Sequence, residues 1–422
     1  MKTEILFFAA VMPFLTLCSV GPERSLEERM QEVLDKGISK YNVHGVSAAA
    51  IFPDETIWTG VSGISHDTVA MKPDMVFAIG SITKNVVAAL TLKLVEENLL
   101  SLNEPLSKWL PRYPHIDSTI TIRQLLNHTS GLYMFWDNQQ IWDDLKRDRT
   151  KVWSPEEVLT YIKEPYFAAG AGWRYSNTNY LLLAMIIEKA TGSILSTEFK
   201  KRFWQPLGID HAYLSLEENI PDNQAHVYGD NFNSDGSNID LTFLPRASHE
   251  SIAYGSSGLF MTAKDLARWC QALFEGKVIQ PQSMKEMLQF VKFRPIANMR
   301  AYGLGVQLYT RNFSSGKAAI GHGGGNIGTT TYMVYLPEFH VSIVVMINAF
   351  PNKSADVITK GLIRIVLKEL KGIGLIPYFD FFPWGFFLIC TIIFVVNMII
   401  LLISRRKKLL HILPNFRGQV NR

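Results

Sequence analysis

A serine and a lysine three residues apart, Ser81 and Lys84, open an apolar stretch with helical spacing. Val86, Val87, Leu90, Leu92, Leu94, Val95 and Leu99 recur around Lys93, Glu96 and Glu97, which predicts a helix over 85–100. Residues i and i+3 share a helix face, so the Lys84 amine would lie over the Ser81 hydroxyl. Unpaired N–H groups and a partial positive charge at the helix start would favour negative charge near the serine. An amine that removes the hydroxyl proton makes the serine a nucleophile towards a carbonyl carbon. Ser-x-x-Lys should occur by chance about once in a chain of this length, so the pair alone decides nothing. Ser314-Ser315-Gly316-Lys317 is such a match, in a short polar turn with no helix after it.

Two further stretches could complete a site. Tyr175 and Asn177 lie in Trp173-Arg174-Tyr175-Ser176-Asn177, at a loop-to-helix junction after Gly170-Ala171-Gly172. A phenol close to a lysine ammonium has its anion favoured and can serve as base or proton shuttle. The Asn177 amide could hold Lys84 and orient a substrate carbonyl. The plain alternative is that both residues cap the next helix. Gly321-His322-Gly323-Gly324-Gly325-Asn326 follows a short strand. Glycines let another backbone approach closely. An N–H from this edge facing that of Ser81 would make two donors for an oxyanion. His322 could orient a polar substrate group or help in proton transfer. The alternative is a glycine-rich turn with a surface histidine.

The elements that must position these groups read as strands at both ends of the chain with helices between. Ser25-Leu26-Glu27-Glu28 is a capping box opening a helix to about Lys40. Runs 46–52 and 56–61 read as a strand hairpin. The pattern is mostly helical from Leu100 to about Gln280, with a capped start at Ser154-Pro155-Glu156-Glu157 and an apolar run over 180–190. Residues 221–246 read as a polar loop, and Thr262-Ala263-Lys264-Asp265 opens a further helix. Strands are expected over 302–309, 317–320, 329–336 and 341–348, then a helix over 354–371. The fold class is therefore mixed α/β (α+β). An antiparallel sheet joins both ends, terminal helices flank it, and an inserted helical lobe spans about 100–280. A site would lie in the crevice between the lobes.

The 422 residues carry a net charge of +4, and no Lys/Arg run interrupts the part read as folded, which argues against nucleic-acid binding. Residues 1–21 hold a short apolar core after Met1-Lys2 and read as a signal peptide, or as an uncleaved anchor. The segment 381–404 is long and apolar enough to span a bilayer. Arg405-Arg406-Lys407-Lys408 follows it, so the tail 405–422 is expected in the cytoplasm and residues 22–375 outside it. Cys18 and Cys390 fall in the apolar segments, which leaves Cys270 without a disulfide partner in the body.

Ser81-x-x-Lys84, Tyr175-x-Asn177 and His322-Gly323-Gly324 stand in the order and approximate spacing of the serine β-lactamase-like hydrolases. The chain resembles the class C β-lactamase and D-alanyl-D-alanine carboxypeptidase branch, which is penicillin-binding-protein-like, from about Ser25 to Lys371. Ile122-Arg123-Gln124-Leu125-Leu126-Asn127-His128-Thr129-Ser130-Gly131-Leu132 and residues 258–267 support it. The resemblance implies that Ser81 forms an acyl-enzyme and that Lys84 and Tyr175 share the base and shuttle roles. Asn177 would bind Lys84 and substrate, and the N–H groups of Ser81 and Gly325 would form the oxyanion hole. It implies no metal or organic cofactor. Substrates would be peptides, amides, esters or β-lactams; the alternative is a binding module that acylates without efficient turnover. One departure stands out. The relatives usually carry Lys-Thr-Gly where this chain has His322-Gly323-Gly324. A histidine holds a substrate carboxylate only partly near neutral pH, so efficient β-lactam hydrolysis is not expected.

Overall fold

Two strands from opposite ends of the chain meet inside one sheet. Gly45–Ile51 runs antiparallel to Val341–Ile347, with Val46 opposite Ile347 and Ile51 opposite Ser342. Every residue of both strands is buried, as suits a composition that is apolar apart from Ser47 and Ser342 in a sheet covered on both faces. The computed structural model describes residues 24–41, 43–230 and 237–372. The expected signal (1–21), membrane span (381–404) and basic tail (405–422) lie outside them. Among the described residues no single helix is long and apolar enough to cross a membrane.

Among the described residues the sheet has nine strands. Its order is Val69–Ala70, Ile57–His66, Gly45–Ile51, Val341–Ile347, Thr329–Leu336, Ile320–Asn326, Gln307–Tyr309, Met299–Tyr302 and Val291–Ile296. All neighbours are antiparallel. Helix Leu26–Tyr41 starts on the expected capping box: Glu28 N–H donates to Ser25 Oγ (3.1 Å), and Ser25 N–H to Glu28 Oε2 (2.9 Å). Gly37 of this helix abuts Ile358 of helix Ser354–Gly372, where a Cβ would overlap the isoleucine side chain. On the sheet, Ala49, Ile51, Met333, Tyr335, Val344 and Met346 join one continuous core with helices Thr83–Glu96 and Ala263–Phe274.

Helix Thr178–Thr191 is buried at every position from Thr178 to Ile187, which is why its sequence is apolar on all sides. Helix Thr83–Glu96 is buried without interruption from Thr83 to Leu92. It begins after a tight turn over Gly80–Ile82 and ends before Asn98, whose φ is +60°. Three expectations change. The glycine stretch is itself a strand, Ile320–Asn326, where a strand over 317–320 followed by a turn was expected. A hairpin of Val291–Ile296 and Met299–Tyr302 extends the sheet by two strands, in a stretch between the expected helices and the strand expected from Tyr302 that had no element assigned. In the loop over 221–246, Tyr228–Gly229 pairs with Ile239–Asp240 and with Ala349–Phe350.

Candidate active site

Ser81 is held by backbone on two sides. Phe77–Ala78 pairs with Leu259–Met261, and Ile79 N–H donates to Leu259 O (2.9 Å). The chain then reverses at Gly80, with φ +55°, a conformation that glycine adopts without strain. Thr83 locks the corner: its hydroxyl donates to Gly80 O (2.8 Å) and accepts from Leu259 N–H (3.2 Å). One turn on, Lys84 points back over the serine, with Nζ 3.1 Å from Ser81 Oγ.

Lys84 is fully buried and donates a second hydrogen bond to Ser256 O at 2.7 Å. Burial holds its pKa well below the ordinary lysine range, because little compensates the charged form for lost water. A neutral amine that gives one N–H to Ser256 O keeps a lone pair for the Ser81 proton. The Ser256 carbonyl left no sign in the sequence, since every residue carries one.

Tyr175 lies against this pair, with Lys84 Nζ 4.9 Å from its ring centroid. The expectation that a lysine cation would favour the phenolate is corrected. Burial raises the phenol pKa, and the proximity of Ser81 offsets this only in part. The burial that disfavours the charged amine thus disfavours the phenolate as well. Tyr175 Oη meets no protein partner at hydrogen-bonding geometry, and neither does Asn177 Oδ1. Asn177 precedes helix Thr178–Thr191 without a side-chain capping bond, so the capping alternative is not realised there. It does not hold Lys84 either: the partners of the amine are Ser81 and Ser256.

The glycine strand supplies the opposite wall. A Cβ on Gly80 would sit 2.5 Å from Gly325 O and 2.6 Å from Gly325 N, so only glycine permits this contact. A Cβ on Gly324 would overlap Ile79 O and lie 3.2 Å from Ser81 N. Gly323 N–H donates to Gln307 Oε1 (3.1 Å), on the edge facing away from Thr329–Leu336. N–H groups alternate along a strand, so Gly325 N–H emerges on that same edge, beside Ser81. The backbone nitrogens of Ser81 and Gly325, expected as oxyanion donors, thus lie on adjoining backbone segments.

His322 is fully buried, its ring centroid 6.5 Å from that of Tyr175, with its Nε2 2.8 Å from Tyr302 Oη and its Nδ1 2.6 Å from Gly323 O. A carbonyl only accepts, so Nδ1 carries the proton and Nε2 accepts from the tyrosine. Burial and the nearby Lys84 push its pKa down to about 3. The ring is neutral and both nitrogens are used, so the expectation of a surface histidine is corrected. Tyr302, seen in the sequence only as a strand residue, seals it.

A protein-family model described as Beta-lactamase matches residues 23–368. The chain belongs to the beta-lactamase family. Within this family it is 27% identical over 292 residues to penicillin-binding protein 4* of Bacillus subtilis (strain 168), covering 66% of this chain and 62% of that protein. It is 28% identical to the esterase EstB of Burkholderia gladioli, over 62% of this chain and 74% of the esterase. Among solved structures, the D-amino acid amidase of Ochrobactrum anthropi SV3, complexed with D-phenylalanine, superposes with a TM-score of 0.71 at 27% identity. That match covers 82% of this chain and 99% of the amidase. The chain thus spans about three fifths of the length of the first of these beta-lactamase relatives.

Proposed function

We propose that this member of the beta-lactamase family is a serine hydrolase that opens amides or esters through an acyl-enzyme on Ser81. Its substrates would carry no carboxylate beside the scissile bond and would present an acyl group derived from a D-amino acid. Lys84 takes the proton of Ser81 as Oγ attacks the carbonyl carbon. The oxyanion accepts from the N–H groups of Ser81 and Gly325. The Tyr175 phenol delivers a proton to the departing nitrogen or oxygen and regains one from Lys84. Water then attacks the acyl-enzyme by the same route in reverse. Asn177 Oδ1, left without a partner, accepts an N–H of the substrate.

The observation that carries the choice of substrate is the sealed, neutral His322. Where a lysine would hold a carboxylate, this strand offers no cation. A hydrogen bond to a charged group contributes roughly 1.5–3 kcal/mol, or about ten- to a hundredfold in binding. Amide and ester substrates are supported by the named activities of the amidase and the esterase, and the D-configured acyl group by the amidase. The test compares wild type with Ser81→Ala on D-amino acid amides, short esters, D-Ala-D-Ala peptides and a chromogenic cephalosporin. Amide or ester turnover should fall at least about a thousandfold in Ser81→Ala. The cephalosporin and the D-Ala-D-Ala peptide should be turned over at least about tenfold less efficiently than the best amide or ester. Residual activity in the variant, or a preference for the carboxylate substrates, would sink the reading.

We further propose that the folded body lies outside the cytoplasm on a single C-terminal membrane span. The apolar segment 381–404, its flanking cations and the apolar N-terminal segment support this placement. Protease added to intact cells should remove the body and spare an epitope attached after Arg422. Protection of the body in intact cells would reverse the assignment.

A further inference from the structure

We propose that His128 is a positioning residue that sets the Tyr175 phenol for proton transfer to the leaving group. This rests on the reading of Tyr175 given above. His128 holds the backbone on both sides of the tyrosine. Its carbonyl accepts from Arg174 N–H (3.1 Å), and its Nδ1 accepts from Ser176 N–H (3.3 Å). The same Nδ1 accepts from Asn179 Nδ2 (2.8 Å), whose Oδ1 accepts in turn from Ser130 Oγ (2.6 Å). The two bonds from Arg174 and Ser176 bracket Tyr175, so its Cα cannot shift without breaking one of them. The ring of His128 lies flat enough on Tyr175 to fix its tilt, with centroids 4.3 Å apart and planes 36° apart.

The arrangement demands one protonation state. Two N–H donors aim at Nδ1, so this atom holds the lone pair and Nε2 holds the proton. Nε2 is buried and has no partner, and the residue itself has φ +62°, in the left-handed region that histidine enters more often than most side chains. An unpartnered buried nitrogen is a cost that a purely structural position would shed, since an apolar side chain would avoid it. What the histidine provides in return is an acceptor one ring-width from its own backbone, at the height of Ser176 N–H.

Proton delivery matters most when the leaving group is basic, which separates this role from general support of the fold. In His128→Leu, turnover of a D-amino acid amide should fall about a hundredfold. Turnover of an activated nitrophenyl ester, whose leaving group departs unprotonated, should stay within about threefold. His128→Asn places an amide oxygen near the position of Nδ1 and should keep amide turnover within about fivefold of wild type, whereas His128→Gln, with its oxygen one bond further out, should not. KM should change little in all three. An equal loss on amide and ester, or no advantage of Asn over Gln, overturns the proposal. Should His128→Leu fail to fold, the Asn and Gln variants decide it alone. Activity that persists in Ser81→Ala would instead overturn the acyl-enzyme reading and leave the geometry of His128 unexplained.

Discussion

Lys84→Met is expected to lower turnover about a thousandfold or more while making the protein harder to unfold. The activity loss follows from the contact at 3.1 Å: among the described residues, the amine hydrogen-bonded to the Ser81 hydroxyl is that of Lys84. The gain in stability follows from burial. In the unfolded chain Lys84 titrates near its ordinary value of 10.5, whereas the folded state holds it well below. Between those two values the unfolded chain binds more protons than the folded one, so stability rises with pH across that window. Below it, where both states hold the proton, wild type bears the full cost of burying the charged amine. A methionine of similar length avoids that cost and forfeits the bond to Ser256 O, for a net gain of about 1 kcal/mol near neutral pH. The gap between variant and wild type should narrow as pH climbs towards 10.5. Chemical denaturation at several pH values checks it. A variant less stable than wild type throughout would mean that the amine is charged in the folded protein. The same depressed pKa places an acid limb on the wild-type activity profile, where protonating Lys84 removes the base.

Gly324→Ala should be the most damaging of the small substitutions, and Gly323→Ala one of the mildest. A Cβ at Gly324 would overlap the Ile79 carbonyl and press on Ser81 N, prying the oxyanion strand from the nucleophile turn. Removing one oxyanion donor costs about a hundred- to a thousandfold in turnover, and this change displaces both. A Cβ at Gly323 would meet the Tyr332 ring at 3.5 Å, an ordinary contact, and should cost less than about 1 kcal/mol and less than about tenfold in turnover. Kinetics and thermal unfolding of the two variants side by side test this. Similar effects at both positions would show that the strand does not lie against the serine as described.

The parts of the site that were legible in the sequence are those set by neighbours along the chain. Ser81 and Lys84 meet because residues three apart share a helix face, whatever packs around them. The capping boxes at Ser25 and Ser154 close within one turn for the same reason. The sharing of one sheet by the two ends of the chain was legible in the matching apolar runs, since such strands need cover on both faces.

What remained illegible depends on atoms far away in the chain. The residue type of His322 implied a partly charged, accessible ring; Tyr302 and the body of the protein made it neutral and sealed. The Tyr175 phenol was expected to lose its proton to a cation, and burial suppressed both charges together. The glycines looked like a turn because their composition says that something comes close without saying what; the approaching group is the backbone at Ile79–Ser81. The amino-acid sequence by itself determined which nucleophile and which base stand together, because that contact is local. Only the tertiary structure decided their charge states and their second wall, because dielectric and backbone approach are set by whatever the rest of the chain lays over them.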